Sequence, residues 1–553
     1  MANVSAARHR LTSGSGREIR ILIFASSLAT VFEWYDFYLY GLLAVTIGSV
    51  FFSAVNSTSR YIFALLSLAA GFALRPFGAL VFGRIGDLAG RKYAFLITIT
   101  IMGWSTFVVG LLPGYAAIGH AAPVTLIVLR LLQGLALGGE YGGAAIYVAE
   151  HAPHGKRGLF TSWVQTTSTV GLFLALLVVL GCQQWINAKS FTVWGWRVPF
   201  LLSIILLAIS MYIRLRLNES PLFQQMKSEG RGSPAPLTES FAERGNLKIV
   251  LIVLFGATAG QGVVWYCGQF YALFFLTQTL KIDPKTAILM VAAALAIGTP
   301  GFILFGWLSD RFGRKPIIML GCLLAVITYL PLFKAITHYA NPALEAAVVT
   351  APAVVIADPD ECSLQFNPVG MSKFTSSCDV AKSALVAYGV PYSNETAPPG
   401  SVAHIAIGQT AIVSYNAERS DAAAKAAAFS KALGDALKTA GYPATADPAR
   451  INHTMVIALL VILVIYVTLV YGPIAAMLVE LFPTRIRYTS VSLPYHIGNG
   501  WFGGFLPAIA FAIVAATGNI YNGLWYPIAI AAMTLVIGVL FLPETKDADI
   551  RAG

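Results

Sequence analysis

The sequence is short of charge. Asp, Glu, Lys and Arg make up 11% of its 553 residues, whereas soluble proteins carry about 25%. Apolar side chains make up 57% of the chain and the mean hydropathy is +0.71. So few charged groups cannot cover the surfaces of several soluble domains. The composition therefore excludes a soluble multidomain protein and predicts a chain that is solvated by lipid.

Motifs for metal, nucleotide and nucleophilic chemistry are also missing. The sequence contains no H-E-x-x-H, no G-x-x-x-x-G-K-[ST] and no paired cysteines at zinc spacing. His151 and His154 flank a short polar turn after Glu150, but they lie between two apolar runs. We therefore expect no enzyme activity, no metal site and no organic cofactor.

Basic residues outnumber acidic ones, with 37 Lys and Arg against 26 Asp and Glu. A nucleic-acid partner would need them clustered on one soluble face, but they are scattered between apolar runs. Basic loops on one side of a membrane are what the positive-inside rule produces. The distribution predicts that both termini are cytoplasmic. The first twenty residues are polar and basic, so we expect no cleaved signal peptide.

Apolar windows of about 20 residues, long enough to cross a bilayer as a helix, occur twelve times. Helices satisfy their own backbone groups in lipid, so the predicted fold class is an all-α membrane protein with twelve transmembrane helices. The predicted domains are a six-helix bundle over 1–216, a cytoplasmic linker over 217–246, a second bundle over 247–337 and 452–545, and an insert over 338–451 between helices 9 and 10.

Two repeated motifs relate the halves of the chain. GRIGDLAGRK at Gly83–Lys92 returns as GWLSDRFGRK at Gly306–Lys315. EHAPHGKR at Glu150–Arg157 returns as ELFPTRIR at Glu480–Arg487, after a longer interval. The difference between the two intervals measures the insert, because only the second interval contains it. The repeats predict two pseudo-symmetric six-helix bundles, the second carrying a small added domain.

The duplicated G-x-x-x-D-x-x-G-R-K loops resemble those of the major facilitator superfamily. EWYDFYLYG from Glu33, RPFGALVFGRIGDLAGRK from Arg75 and RLLQGLALGGEYGGA from Arg130 resemble its metabolite:proton symporters more narrowly. That resemblance implies a monomeric carrier of the bacterial inner membrane, working by alternating access and driven by the proton gradient alone. It implies as substrate a small carboxylate or zwitterion, such as citrate, 2-oxoglutarate, shikimate, proline or betaine.

A membrane receptor is the alternative function. In that interpretation the insert, on the periplasmic side, binds a ligand and the bundle transmits the signal. In the transporter, the insert could instead dock a periplasmic partner. A receptor of this kind needs a cytoplasmic output domain, and the residues after Pro543 predict none. We therefore prefer the transporter.

Five charged residues fall inside predicted spans of the first half, where each costs about 2.5–3.5 kcal/mol to insert and normally faces a partner. Helical periodicity and a rise of about 1.5 Å per residue predict two layers, Asp36 with Arg130 and Arg75 with Glu140 and Glu33. Structural ion pairs explain either layer. Competition between Asp36 and a substrate carboxylate for Arg130 would couple binding to protonation. Arg75 and the residues of these two inward stripes are the candidates for binding substrate and protons. They are Glu33, Asp36, Tyr40, Arg75, Arg130, Gln133, Glu140 and Tyr141.

The interior of the second half is polar but uncharged. Its candidates are Gln261, Trp265, Tyr266 and Gln269 on span 7 and His496 and Asn499 on span 11. They form either a neutral wall of the substrate site or hydrogen-bonded contacts between helices. His496 could relay protons because histidine titrates near neutral pH, or it could be a packing residue.

The repeated motifs are expected to form a cytoplasmic gate that closes in one state and opens in the other. Basic loop residues that only anchor the topology are the alternative. The candidate gate residues are Asp87, Arg91, Lys92, Glu150, Arg157, Asp310, Arg314, Lys315, Glu480 and Arg487.

The insert changes composition to that of a small soluble domain. Its cysteines, Cys362 and Cys378, are expected to form a disulfide in the oxidising periplasm, and the other three read as packing residues. Both ends of the insert meet the membrane at neighbouring spans. We therefore expect that a short linker could replace it without disturbing any helix.

Overall fold

The computed structural model describes residues 16–52, 57–216, 219–363 and 374–550. Within these ranges, ten helical runs are long and apolar enough to cross a membrane. Two further helices, Gly16–Leu42 and Ser57–Leu88, are 27 and 32 residues long. We number these twelve in chain order: α1 Gly16–Leu42, α2 Ser57–Leu88, α3 Arg91–Leu111, α4 Ala121–His151, α5 Arg157–Trp185, α6 Phe191–Arg216, α7 Arg244–Thr279, α8 Pro284–Phe312, α9 Arg314–Ala340, α10 His453–Leu481, α11 Arg487–Thr517 and α12 Asn522–Phe541.

Glycines let α2 and α4 pack with their backbones in contact. A Cβ atom at Gly138 would lie 2.2 Å from the carbonyl oxygen of Arg75, and one at Gly134 would lie 2.1 Å from that of Gly71. Close packing at small residues is the usual way in which membrane helices associate. It brings the side of α2 that carries Arg75 against α4.

Helices α7 and α11 are not regular α-helices. α7 contains three five-residue π segments, Leu254–Thr258, Cys267–Tyr271 and Phe275–Thr279. α11 contains a seven-residue π segment, Ile497–Gly503. Each π segment shifts the side chains that follow it around the helix axis, and such segments are frequent at functional sites.

Residues between α9 and α10 form an α/β unit. Its sheet has the order β2-β1-β3-β4, in which β1 pairs with β2 in parallel and β3 is antiparallel to both of its neighbours. The helix Ser377–Tyr388 makes the crossover that a parallel pair requires. The elements are helix Pro342–Thr350, β1 Ala353–Ala357, helix Ser377–Tyr388, β2 Tyr392–Thr396, β3 His404–Ile407, β4 Thr410–Val413 and helix Ala422–Thr439.

A disulfide joins Cys362, in the segment after β1, to Cys378 in the first turn of the crossover helix, with Cα atoms 5.2 Å apart. The other three cysteines are free and lie in or near the bundle helices, as expected.

The α/β unit connects α9 to α10, and it also contacts the ends of α7 and α11. The backbone N–H of Tyr392 donates to the carbonyl of Gly518 at 2.9 Å, and the side-chain amide of Asn394 donates to Thr517 at 3.2 Å. At the end of α7, the Lys281 carbonyl accepts from the N–H of Ala446 at 2.9 Å. Burial lowers the pKa of the Lys281 ammonium. The unit thus contacts more helices than the two that flank it, which argues against the expectation that a short linker could replace it without disturbing any helix; that expectation stays a prediction.

Candidate functional site

A small cavity lies between the two halves of the chain, bounded by α1, α2 and α4 on one side and α7, α10 and α11 on the other. Six of its nine lining residues are aromatic. The lining residues are Glu33, Trp34, Arg75, Tyr141, Trp265, Tyr266, Tyr471, Tyr495 and Asn499. The structure thus brings six of the sequence-predicted site residues together around one space. Trp34, Tyr471 and Tyr495 were missed because aromatic residues are common in apolar spans.

Two charged side chains line this cavity. Glu33 and Arg75 are each only 6% exposed, and among the described residues neither has an oppositely charged atom within 4.0 Å. The Arg75 guanidinium lies 4.6 Å from the Phe72 ring, and the indole N–H of Trp265 has no hydrogen-bond partner. Buried charges are costly unless they meet a partner, so these groups are available to a ligand.

The pair predicted in the other layer forms beside the cavity. Arg130 Nη1 lies 3.0 Å from Asp36 Oδ2, and the Tyr40 ring packs 3.7 Å from the guanidinium carbon. Thr106 of α3 and Gln133 of α4 also donate to Asp36 Oδ1, at 2.9 Å and 3.3 Å. Asp36 and Arg130 therefore pair with each other and do not line the cavity, although Arg130 Nε and Nη2 are buried without a hydrogen-bond partner among the described residues. Thr106 was missed because threonine gives little signal in an apolar span.

The predicted pairing of Glu140 with Arg75 is wrong. Glu140 pairs instead with Arg214 of α6, whose Nη2 atom lies 3.7 Å from Glu140 Oε1. Arg214 is in the last turn of α6, where the sequence suggests a solvated cytoplasmic charge. Its side chain turns inward and packs on Phe95, 3.0 Å from the ring centre. The spacing of α4 residues cannot show which other helix supplies the cation.

The polar residues of the second half do not form one wall. Gln261 and Asn499 exchange amide hydrogen bonds of 3.1 and 2.8 Å between α7 and α11. Gln269 lies further along α7 and accepts from the hydroxyl of Tyr38 at 3.2 Å. The π segment at Cys267–Tyr271 contains Gln269 and interrupts the regular i, i+4, i+8 stripe. His496 is 1% exposed and neither ring nitrogen has a hydrogen-bond partner in the described part of the chain.

Aromatic rings of α1 and α7 meet on the side of the cavity towards the α/β unit. Phe37 and Phe270 contact edge to face at 4.9 Å between ring centres, and Tyr38 stacks on Phe270 at 5.8 Å. Trp34 and Trp265 are 4.9 Å apart at the cavity itself. These contacts close the space between the two halves at this end.

The opposite end carries the repeated motifs, and we call it the motif end. Asp87 pairs with Arg91 at 2.9 Å, and its two oxygens accept from the backbone N–H groups of Tyr488 and Thr489 at 3.1 and 2.9 Å. The first N–H groups of a helix lack partners within it and carry partial positive charge. A carboxylate of the first half therefore caps the start of α11 in the second half.

The second copy of the motif makes the same contacts in reverse. Asp310 pairs with Arg314 at 2.7 Å and accepts from the N–H groups of Gly158 and Leu159, both at 2.8 Å, at the start of α5. A carboxylate of the second half thus caps a helix of the first half.

Ion pairs between the repeated E-x-x-P-x-x-x-R motifs complete the closure of the motif end. Glu150 pairs with Arg487 at 2.7 Å and Glu480 pairs with Arg157 at 3.5 Å, and both pairs cross between the halves. Glu480 also pairs with Arg314 of its own half at 3.1 Å. The two halves are therefore locked together at this end by charges that the sequence had identified.

The chain matches the family profiles described as "Sugar (and other) transporter" over residues 22–243 and "MFS/sugar transport protein" over 142–357. It is 32% identical to the alpha-ketoglutarate permease of Escherichia coli over 353 residues, which are 63% of this chain and 79% of the permease. The chain belongs to the major facilitator superfamily. The family expected from the motifs is confirmed.

One further relative and one solved structure are similar to the chain. It is 36% identical to the proline/betaine transporter of Salmonella typhimurium over 324 residues, 57% of this chain, and it spans 64% of the length of that relative. The proton:xylose symporter XylE has the same fold, with a TM-score of 0.61, 15% identity and coverage of 96% of this chain and 98% of XylE. The relatives are transporters, and none of them supports the receptor alternative.

Lys92 and Lys315 were predicted to belong to the gate, but they take no part in the ion pairs that the described residues form between the halves at the motif end. Their Nζ atoms donate to the carbonyls of Leu215 and Val539, at 3.0 and 2.8 Å. These carbonyls lie in the last turns of α6 and α12, where helix carbonyls carry partial negative charge. Each lysine therefore anchors the last helix of its own half and does not bridge to the other half.

A tyrosine that the sequence did not single out also closes the motif end. Tyr488 is fully buried at the start of α11, and its hydroxyl donates to the carbonyl of Gly139 on α4 at 2.5 Å. A Cβ atom at Gly86 would lie 2.4 Å from its ring, and one at Gly143 would lie 2.5 Å from its hydroxyl oxygen. The glycines of α2 and α4 thus form a socket that the Tyr488 side chain fills. In the sequence, the run G-G-E-Y-G-G on α4 was the one feature that could have indicated such a socket.

We expect Gly143→Ala to destabilise this closed end, because the new methyl group and the Tyr488 hydroxyl cannot occupy the same space. Hydrogen exchange in the first turns of α11 should become faster and the transport rate should fall. Gly245→Ala is the matched control, because a Cβ atom there meets nothing within 4 Å. Unchanged exchange in Gly143→Ala would show that Tyr488 does not seal this end.

Proposed function

We propose that this transporter imports a small organic anion or zwitterion together with protons across the inner membrane of a bacterium. The observation that carries the proposal is the cavity between the two halves, which is lined by Arg75 and Glu33. Among the described residues, neither of these side chains has an oppositely charged partner within 4.0 Å. A guanidinium in a water-poor space is a strong site for a carboxylate, because it can donate two parallel hydrogen bonds.

The motif end is assigned to the cytoplasm and the α/β unit to the periplasm. Basic motif loops favour the cytoplasmic side, and the Cys362–Cys378 disulfide suits an oxidising compartment. Twelve helices in two halves would then rock about the cavity. Breaking the Asp87 and Asp310 caps opens the cytoplasmic side, while parting of Phe37 from Phe270 opens the outer side.

The Asp36–Arg130 pair is proposed to carry the proton. Asp36 lies three residues after Glu33 on α1, so the two side chains share a helix face and link the buried pair to the cavity. Protonation of Asp36 removes the charge that Arg130 neutralises and weakens the contact between α1 and α4. The proton thereby alters the position of the helix that carries Glu33 and Trp34.

We expect Asp36→Asn to exchange substrate across the membrane at a rate near that of the wild type but to lose accumulation against a gradient. The amide has the shape of the protonated acid and cannot titrate. Counterflow and gradient-driven uptake in proteoliposomes measure the two activities separately. Asp435→Asn, on an exposed face of the α/β unit, is the control. Accumulation at the wild-type level in Asp36→Asn would move the proton to Glu33.

A further inference from the structure

An apolar groove with two basic residues at one end runs between α7 and α12 on the surface of the bundle. Its volume is about 400 Å³. Its walls include Arg244, Lys248, Leu251 and Phe255 of α7 and Ile537 and Phe541 of α12. We propose that this groove binds one anionic phospholipid, with an acyl chain between the two helices and the phosphate against Arg244 and Lys248.

The groove forms beside a close crossing of the two helices. A Cβ atom at Gly538 of α12 would lie 2.6 Å from the carbonyl oxygen of Gly256 on α7, and such contacts between small residues are typical of membrane helices. Larger side chains separate the helices between this crossing and the motif end. Lys315 of the repeated motif donates to the Val539 carbonyl, so the groove opens at the motif end of α12.

The α7 wall has the polarity of a phospholipid. Arg244, Lys248, Leu251 and Phe255 recur at intervals of three and four residues and therefore share one face of the helix. Eleven residues separate the first from the last, a rise of about 16 Å, and half of the hydrocarbon core of a bilayer measures about 15 Å. The stripe is thus basic at the level of the headgroups and apolar at the level of one leaflet's acyl chains.

The apolar part of the groove is open on the side that faces lipid. Leu251 is 44% exposed and Phe541 is 59% exposed. In a membrane carrier these surfaces are covered by acyl chains and not by water. An acyl chain in the groove would contact two helices at once, whereas a chain elsewhere on the surface would contact one.

The two basic side chains are free to bind an anion. Arg244 and Lys248 are exposed, and neither forms an ion pair with any other described residue. Exposed arginines at the ends of two other helices differ in this respect. Arg216 lies over the Tyr212 ring at 4.4 Å and Arg311 lies over the Trp307 ring at 4.0 Å.

The acidic residues that precede α7 do not neutralise these two cations. Glu239 pairs with Arg485, and the Glu243 carboxylate accepts from the side-chain amide of Asn246 at 3.2 Å. The side chain of Glu243 does not cap the start of α7, so the first N–H groups of the helix add partial positive charge at this end of the groove.

The spacing of the cations suits one phosphate. Side chains four residues apart on a helix begin about 5–6 Å from each other, so Arg244 and Lys248 can contact the same phosphate group from two sides. Basic pockets between membrane helices are known sites for anionic headgroups. A zwitterionic lipid would place its own ammonium group beside the two cations, and the repulsion favours a lipid whose headgroup carries only the negative charge.

The direct test is lipid binding to the purified full-length protein in a non-ionic detergent, measured by native mass spectrometry. The probes are palmitoyl-oleoyl phosphatidylglycerol, phosphatidylcholine with the same two chains, and sn-glycerol 3-phosphate. We expect the first phosphatidylglycerol to bind at least about tenfold more tightly than phosphatidylcholine, because two cations near the headgroup each favour the anion. The soluble sn-glycerol 3-phosphate should not displace it, because it lacks the acyl chain.

Two variants test the two parts of the groove. Arg244→Gln combined with Lys248→Gln changes exposed residues and should weaken phosphatidylglycerol binding at least about tenfold, while leaving phosphatidylcholine unchanged. Leu251→Trp fills the groove and should weaken the binding of both lipids. The matched control is Arg216→Gln combined with Arg311→Gln, which removes two exposed positive charges of the motif end outside the groove and should bind both lipids as the wild type does.

A melting curve gives a second readout. A ligand that binds only the folded protein raises its stability, so the melting temperature should be higher in phosphatidylglycerol than in phosphatidylcholine. The variant that lacks Arg244 and Lys248 should lose this difference and the control should keep it.

Three results would overturn the proposal. Equal affinity for the two lipids, or displacement by sn-glycerol 3-phosphate, would show that the groove does not recognise an anionic phospholipid. Unchanged phosphatidylglycerol binding in both groove variants would place the lipid elsewhere. An equal loss in the control would show that the lipid responds to the charge of the whole motif end and not to this groove.

Discussion

Arg75→Ala is expected to abolish substrate binding, with a loss of at least about 30-fold in affinity. The charge pair in question is the one that Arg75 would form with the substrate carboxylate. Removing one member of a buried, hydrogen-bonded charge pair costs about 2–5 kcal/mol, and every 1.4 kcal/mol changes the affinity about tenfold. Arg75→Lys should recover only a small part of the loss, because an ammonium is a point charge that cannot reproduce the two-pronged contact. Equilibrium binding to detergent-purified protein measures both variants.

Arg84→Ala is the matched control for this prediction. Arg84 is an exposed arginine on the same helix, two turns and more beyond Arg75. Its removal should leave affinity unchanged and show that loss of a positive charge on α2 is not in itself harmful. Wild-type affinity in a folded Arg75→Ala protein would exclude Arg75 from the site. Arg130 would then again be the candidate residue for binding the substrate.

Replacing residues 343–447 by a short linker is expected to lower the melting temperature of the protein and to stop transport. The last carbonyls of a helix have no partner within it, and the α/β unit supplies donors to those of α11. The hydroxyl of Tyr392 donates to Ala515, its backbone N–H donates to Gly518, and the Asn394 amide donates to Thr517. Loop closure costs little, so loss of these contacts should decide the outcome.

A milder variant guards against misfolding of the deletion. Tyr392→Phe together with Asn394→Ala removes side-chain hydrogen bonds worth about 1 kcal/mol each and keeps the α/β unit. We expect a lower melting temperature than in the control Lys431→Ala, which changes an exposed residue of the same unit. A deletion variant that transports like the wild type would show that the unit is a passive addition.

Helical periodicity predicted the Asp36–Arg130 contact because both residues lie on inward stripes of helices that run at known depths. It failed for Glu140 because depth along α4 does not say which helix stands opposite. The cation came from α6, whose rotation about its own axis is set by packing. Sequence periodicity thus locates buried charges well, but their partners depend on helix packing that one sequence does not reveal.

The motif residues at the closed end were predicted for a different reason. A repeated pattern around Asp87 and Asp310 identifies positions that do the same work in both halves. The sequence could not show that each carboxylate caps a helix of the other half, since this requires the arrangement of the halves. It also missed Tyr488, whose importance comes from glycines on two other helices.

The measurement that tests the central claim most directly is uptake of labelled glycine betaine and 2-oxoglutarate into proteoliposomes, with an imposed proton gradient and with a protonophore. The account predicts that one of these probes accumulates when the outside is acidic. It predicts that accumulation disappears when the protonophore collapses the gradient and that Asp36→Asn shows no accumulation under either condition. Accumulation of either probe that is unchanged by the protonophore would contradict proton-coupled transport by this protein.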